Sequence, residues 1–169
     1  MANKKYMLKP VLGTIKRSFY LEDEKNNIVY EGNMIKFSLL FASLYEFINH
    51  LTGKREEHKV GKTITLEESG VSGFFSTKSR FKFDGKNIWD YLHNLGVRIE
   101  SKLSSDKIGM TYVISFEGKE IATVASSSPK GKSIITTDLF YDVIADEKDL
   151  DLVFLVAFAI AKTDQLTYD

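Results

Sequence analysis

The segment DLDLVFLVAFAIAKT, Asp149 to Thr163, decides the fold. Between Leu150 and Ala161 the large apolar residues Leu150, Leu152, Val153, Phe154, Leu155, Val156, Phe158 and Ile160 fall at nearly every angle around a helix axis. A helix that is apolar on all sides must be buried on all sides. Twelve residues at about 1.5 Å each span about 18 Å, short of the roughly 20 residues that cross a membrane core. The ends suit a helix in a globular protein: Asp146, Glu147, Asp149 and Asp151 crowd its N-terminus and Lys162 closes its C-terminus, each favourable to the macrodipole. Its surroundings must come from the rest of the chain.

The rest of the chain reads as strands and tight turns. SFYLEDEKNNIVYEG (Ser18 to Gly32) sets two apolar runs around a turn cluster. MTYVISFEGKEIATVAS (Met110 to Ser126) does the same around Glu117-Gly118-Lys119, and Thr52-Gly53-Lys54 breaks a third hairpin. Arg80 to Phe83, Val97 to Leu103 and Ile134 to Ile144 are further extended runs. Phe37, Leu40, Phe41, Leu44, Ile48 and Leu51 recur at helical spacing, but strands are preferred there. NIWDYLHNLG predicts one short surface helix: Asn87 caps it, Ile88, Trp89, Leu92 and Leu95 share a face, and Gly96 is placed for a left-handed C-cap. The expected class is therefore mainly β. A closed antiparallel barrel gives the apolar helix its enclosure, because a barrel of many strands leaves an interior that its own side chains cannot fill.

Composition sets the outer limits. The 169 residues, 43% hydrophobic, suit one domain covering residues 1–169. Lys plus Arg and Asp plus Glu number 23 each, so no global field draws the chain to nucleic acid, and none is expected as a partner. The absence of cysteine removes thiolate chemistry and fits a cytoplasmic location. MANKKYMLKP has no apolar run behind its basic start and is not read as a signal peptide.

The DEKNNIVY hairpin (Asp23 to Tyr30), the Phe-Ser lead-ins at Phe37 and Phe75, and the ending YDVIADEKDLDLVFLVAFAIAKTDQ (Tyr141 to Gln165) resemble the tubby C-terminal-like superfamily. That group takes in the LURP-one-related proteins, the phospholipid scramblases and small bacterial single-domain members. The resemblance implies a barrel of about twelve strands around a hydrophobic C-terminal helix. It also implies a link to lipid, because tubby-like domains bind phosphoinositides and scramblases act on phospholipids. The chain departs from scramblases in lacking their cysteines and proline-rich leader, and 67–73 and 86–96 look like insertions.

No catalytic constellation emerges. Gly61-Lys62-Thr63 has the ending of a P-loop, but Glu56 stands where the loop needs glycine, and Ser126 fails the same requirement ahead of Gly131. Ser72 in GVSGF lacks the nucleophile-elbow spacing. His50 and His58 flank one turn beside Glu56 and Glu57, a weak basis for a metal, and no metal or cofactor is assigned. The informative charges are local: Lys54, Arg55, Lys59 and Lys62 on one hairpin, and Lys78, Arg80 and Lys82 on the next, as contacts for an anion or lipid headgroup. The expected function is a non-enzymatic cytoplasmic binding or scaffold domain. Its alternatives are a peripheral membrane-lipid or scramblase-like protein and, behind it, a hydrolase with a loop-borne site. The partners left open are an anionic lipid headgroup or another protein.

Overall fold

A computed structural model describes residues 3–10, 18–37, 42–69, 74–103, 110–126 and 140–168, with the side chains of 62–81 and 163–168 outside the description. Eleven strands form one sheet: β1 (Lys4–Pro10), β2 (Phe19–Asp23), β3 (Ile28–Lys36), β4 (Ser43–Asn49), β5 (Arg55–Ser69), β6 (Phe74–Phe83), β7 (Lys86–Asn87), β8 (Val97–Leu103), β9 (Met110–Phe116), β10 (Lys119–Ser126) and β11 (Tyr141–Ala145). Two helices complete the fold, α1 (Ile88–Asn94) and α2 (Leu150–Tyr168), with a 3-10 turn at Glu147–Asp149.

The strand order is β7-β6-β5-β4-β3-β2-β1-β11-β10-β9-β8. Each strand therefore lies beside its chain neighbours, and the first pairs with the last, Lys4 opposite Ala145. The one break in this cyclic order falls between β7 and β8, and α1 is the chain that joins them. Among the described residues the sheet is not closed by hydrogen bonds at that seam, where closure was expected, and the described strands number eleven rather than twelve. The physical reason is local: β7 is two residues long, and the Asn87 side chain then caps a helix by accepting from the N–H groups of Trp89 and Asp90. α1 touches β6 and β7 on one side of the seam and β8 on the other. Its buried stripe is Ile88 and Leu92 alone. Trp89 and Leu95, expected on the same face, are exposed: Trp89 lies one residue round the helix from Ile88, off the Ile88–Leu92 stripe, and Leu95 follows the helix as its C-cap. Gly96, at φ +94°, supplies the left-handed exit.

The three expected hairpins are present as β2–β3, β4–β5 and β9–β10. At two turns both central residues have positive φ, Asp84-Gly85 (50° and 82°) and Glu117-Gly118 (51° and 83°), the geometry that matches the twist of a two-residue hairpin. Within Phe37 to Leu51, Ser43–Asn49 forms β4 and His50 and Leu51 begin the turn that follows, so a strand prevails over the helical alternative there, and 38–41 lie outside the described residues. Of the extended run 134–144, the strand is described from Tyr141, and 134–139 lie outside.

α2 fills the concave side of the sheet. Leu150, Val153, Phe154, Leu155, Val156, Phe158 and Ile160 are buried, and Leu152, in the first turn, is only partly so. Phe154 stacks on Tyr30 at 4.3 Å between ring centroids and meets Phe47 edge-on at 5.2 Å. One turn on, Phe158 meets Phe19, Tyr45 and Phe47 at 5.8, 5.2 and 5.1 Å. Strands β3, β6, β10 and β11 also approach the helix. At Gly32 on β3 an added Cβ would stand 3.0 Å from the Phe154 ring, so glycine lets ring and strand close together. Each of these large apolar side chains contributes on the order of 1.5–3 kcal/mol by burial. The helix does not end at Lys162 as expected, because KTDQLTY contains no glycine or proline and carries it to Tyr168. Lys162 is buried, its ammonium 5.0 Å from the Tyr45 ring centroid, 5.5 Å from Phe19 and 5.7 Å from Phe158.

Candidate functional site

β1 starts and β11 ends where α2 begins, and the described hairpin turns gather at that same end. A chain of polar contacts crosses it. Asp151, in the first turn of α2, accepts from the Tyr30 hydroxyl at 2.8 Å and from Asn49 Nδ2 at 3.2 Å. Asn49 is buried, and its Oδ1 accepts the N–H groups of Leu51 and Thr52, so one amide ties the β4–β5 turn to the helix. Lys54 Nζ lies 3.8 Å from Asp151 and 3.1 Å from Glu56. His58 lies between two carboxylates, with Glu56 at 3.3 Å from Nε2 and Asp84 at 2.9 Å from Nδ1, and its ring rests on Phe83 at 4.5 Å and Phe47 at 5.0 Å. Asp84 also accepts from the Lys59 N–H at 2.8 Å and donates its own N–H to the Lys59 carbonyl at 2.7 Å.

This arrangement redistributes the residues singled out in the sequence. His50 and His58 do not converge: His50 pairs with Glu31 at 2.5 Å, while His58 belongs to the Asp84 contact. Among the described residues no group of three His, Asp or Glu side chains is arranged to hold a metal ion. Lys54 and Arg55 are tied down, the first by Glu56 and Asp151, the second by Glu46 at 3.4 Å. The Glu56 hydrogen bond, with the charges of Asp151 and Glu56, holds the Lys54 ammonium above its ordinary pKa. Lys59 and Lys82 are exposed, and neither ammonium has an ion pair among the described residues.

The register of β5 with β6 sorts the remainder. Val60 opposes Phe83, both buried, which fixes the inner face of the hairpin. Alternation then puts Gly61, Thr63 and Thr65 on the outer face opposite Lys82, Arg80 and Lys78. Lys59, two residues before Gly61, shares that face. Lys62 opposes Phe81 and belongs to the other face, so it does not join the basic group in which the sequence placed it. Beyond Val60 the β5–β6 pair continues to Ser69 and Phe74, past the last described pairing with β4. The outer face of this ribbon thus carries four cationic positions, Lys59, Lys82, Arg80 and Lys78, spaced as alternate residues.

Asp84, Asn49 and Tyr30 were not singled out in the sequence. The signal for Asp84 was present in FDGKN, whose Asp-Gly pair marks a tight turn. Nothing local marks Asn49 or Tyr30, since their partner Asp151 is more than a hundred residues away. A mixed-charge groove of about 620 Å³ lies at the same end, lined by Glu117, Lys119, Glu120, Asp146, Lys148 and Asp149 among others. No helix among the described residues is long and apolar enough to cross a membrane.

No protein-family model matches the chain, and no curated protein matches its sequence. The tubby-like resemblance accordingly rests on the quoted residues.

The polar chain predicts an alkaline weakness. Burial, and then the Asp151 carboxylate, hold the Tyr30 phenol above its ordinary value, and burial pushes Tyr6 up to about 12. The unfolded chain ionises such phenols near about pH 10. The stability they contribute is therefore complete below pH ~10 and is lost as pH rises through the folded values. Tyr30→Phe should cost about 1 kcal/mol at pH 7, where Asp151 loses a donor. Urea melts of both proteins at pH 7 and pH 11 should show the gap between them shrinking, because only the parent has that phenol to ionise.

Proposed function

We propose that the chain is a non-enzymatic binding module that offers the outer face of its β5–β6 ribbon to an anionic ligand. The tubby-like resemblance favours an anionic phospholipid surface on the cytoplasmic side. The observation that carries this reading is the register, which aligns Lys78, Arg80 and Lys82 with Lys59 on one face. Phosphate groups are bound well by such a row of cationic positions. The concave side is filled by α2, which supports placing recognition on the outside. We read the cyclic strand order, with α1 across the seam, as a barrel of the tubby-like kind. His58 has both ring nitrogens engaged with carboxylates, which supports a structural role for the only histidine near the polar chain's centre.

Near an anionic surface each basic residue contributes about 1 kcal/mol. The triple variant Lys78→Gln/Arg80→Gln/Lys82→Gln should therefore bind anionic vesicles about a hundredfold more weakly than the parent. Cosedimentation with phosphatidylserine vesicles at two salt concentrations makes the measurement. The parent should bind in low salt, release in high salt and ignore phosphatidylcholine vesicles. Lys54→Gln, whose ammonium already faces Glu56 and Asp151, should change binding far less. Binding that ignores both salt and the triple variant, or no binding at all, would remove this reading.

A further inference from the structure

The sheet ends at β8, and among the described residues no strand pairs with its outer edge. Long open edges are usually blunted, because their free N–H and C=O groups recruit another strand. β8 is seven residues long, and Glu100, Ser101, Lys102 and Leu103 are all exposed. Leu103, at 80%, is the most exposed of the large apolar side chains described. Its cross-strand neighbour on β9 is Met110, itself only partly buried, so an apolar spot lies at the end of an open edge.

We infer that two copies of this chain pair through β8, antiparallel and related by a two-fold axis at Ser101. Antiparallel strands set residues of one face against residues of the same face, and opposite charges placed so stabilise the pair while like charges disfavour it. Arg98, Glu100 and Lys102 alternate on the outer face, and Val97, Ile99, Ser101 and Leu103 on the inner. With the axis at Ser101, Glu100 opposes the second copy's Lys102, Lys102 opposes its Glu100, and Leu103 opposes its Ile99. Both charge pairs are attractive and the exposed leucine is covered. An axis at Glu100 sets Glu100 against itself and Arg98 against Lys102, two repulsive arrangements. An axis at Ile99 pairs Arg98 with Glu100, but it leaves Leu103 uncovered and carries the incoming strand up to Val97, where α1 packs. Charge, apolar exposure and available space select the same register. Such an isologous contact is self-closing, so it stops at a dimer. It is small, so it is concentration-dependent. This contact uses β8, across the seam from the strand that carries most of the cationic positions, and does not depend on the lipid reading.

Sedimentation velocity of the full chain over a concentration series tests this. The parent should shift from monomer to dimer as concentration rises. Glu100→Lys and Lys102→Glu should each weaken dimerisation by about tenfold or more, because each sets like charges opposite one another twice. An equimolar mixture of the two variants should recover dimer, since one copy then presents two lysines and the other two glutamates. Both substitutions are at exposed positions, and circular dichroism checks that the variants are folded. A parent that stays monomeric while its β8 amides resist hydrogen exchange would show a segment of the same chain on the edge and would overturn the proposal. A dimer indifferent to both reversals, or a mixture without recovery, would overturn it too.

Discussion

Phe158→Ala is expected to destabilise the protein by about 3–5 kcal/mol, the range for removing a well-packed aromatic side chain from a core. Phe158 is 1% exposed, with the rings of Phe19, Tyr45 and Phe47 within 6 Å of its own and Phe154 one turn away at 6.3 Å. These neighbours come from the sheet and from the helix itself, so the sheet cannot collapse into the space without moving β2 and β4 towards α2. Urea denaturation read by circular dichroism gives the difference directly. A chain ending at Asp149 should lose the cooperative transition altogether, since the aromatic side chains that line the concave side would then face water. A loss below about 1 kcal/mol for Phe158→Ala would mean that the helix is not held as described.

Leu92→Ala should cost about 2–5 kcal/mol, as befits a leucine that is 1% exposed, although it sits on a helix of only seven residues. With no hydrogen bonds across the seam between β7 and β8 among the described residues, the packing of Ile88 and Leu92 is what holds α1 against both edges. Trp89→Ala on the same helix should stay within about 0.5 kcal/mol, because that side chain is 39% exposed. Paired urea melts of the two variants distinguish a helix that seals the sheet from one that decorates it. Comparable small losses would assign α1 to decoration.

The elements most legible in the sequence are those whose signal is local. The apolar run from Leu150 states its own burial, and turn residues such as Asn26, Gly53 and Gly118, each with positive φ, place the hairpins. The end of α2 is not legible, because Lys162 reads as a terminal cation, whereas its long side chain reaches over aromatic rings and the helix runs on. The exposure of Trp89 and Leu95 depends on what the seam covers, which no pattern within α1 records. The basic cluster was legible as composition but not as a surface. Only pairing sorts Lys62 to one face and Lys78, Arg80 and Lys82 to the other, and only three-dimensional contacts show Lys54 and Arg55 to be neutralised. The Tyr30, Asn49 and Asp151 contacts lay beyond sequence reasoning for the same reason: they join residues with no local relation.

The most direct test of the architecture is native-state amide hydrogen exchange on the full chain, read for Leu150 to Ala161. A helix enclosed by the sheet should open only with global unfolding, so its slowest amides should exchange with a free energy equal to the one obtained from denaturant melts. Exchange from that segment at a small fraction of the global free energy would contradict the account. It would mean that α2 leaves the sheet without unfolding it, and the concave side would then be open to ligands.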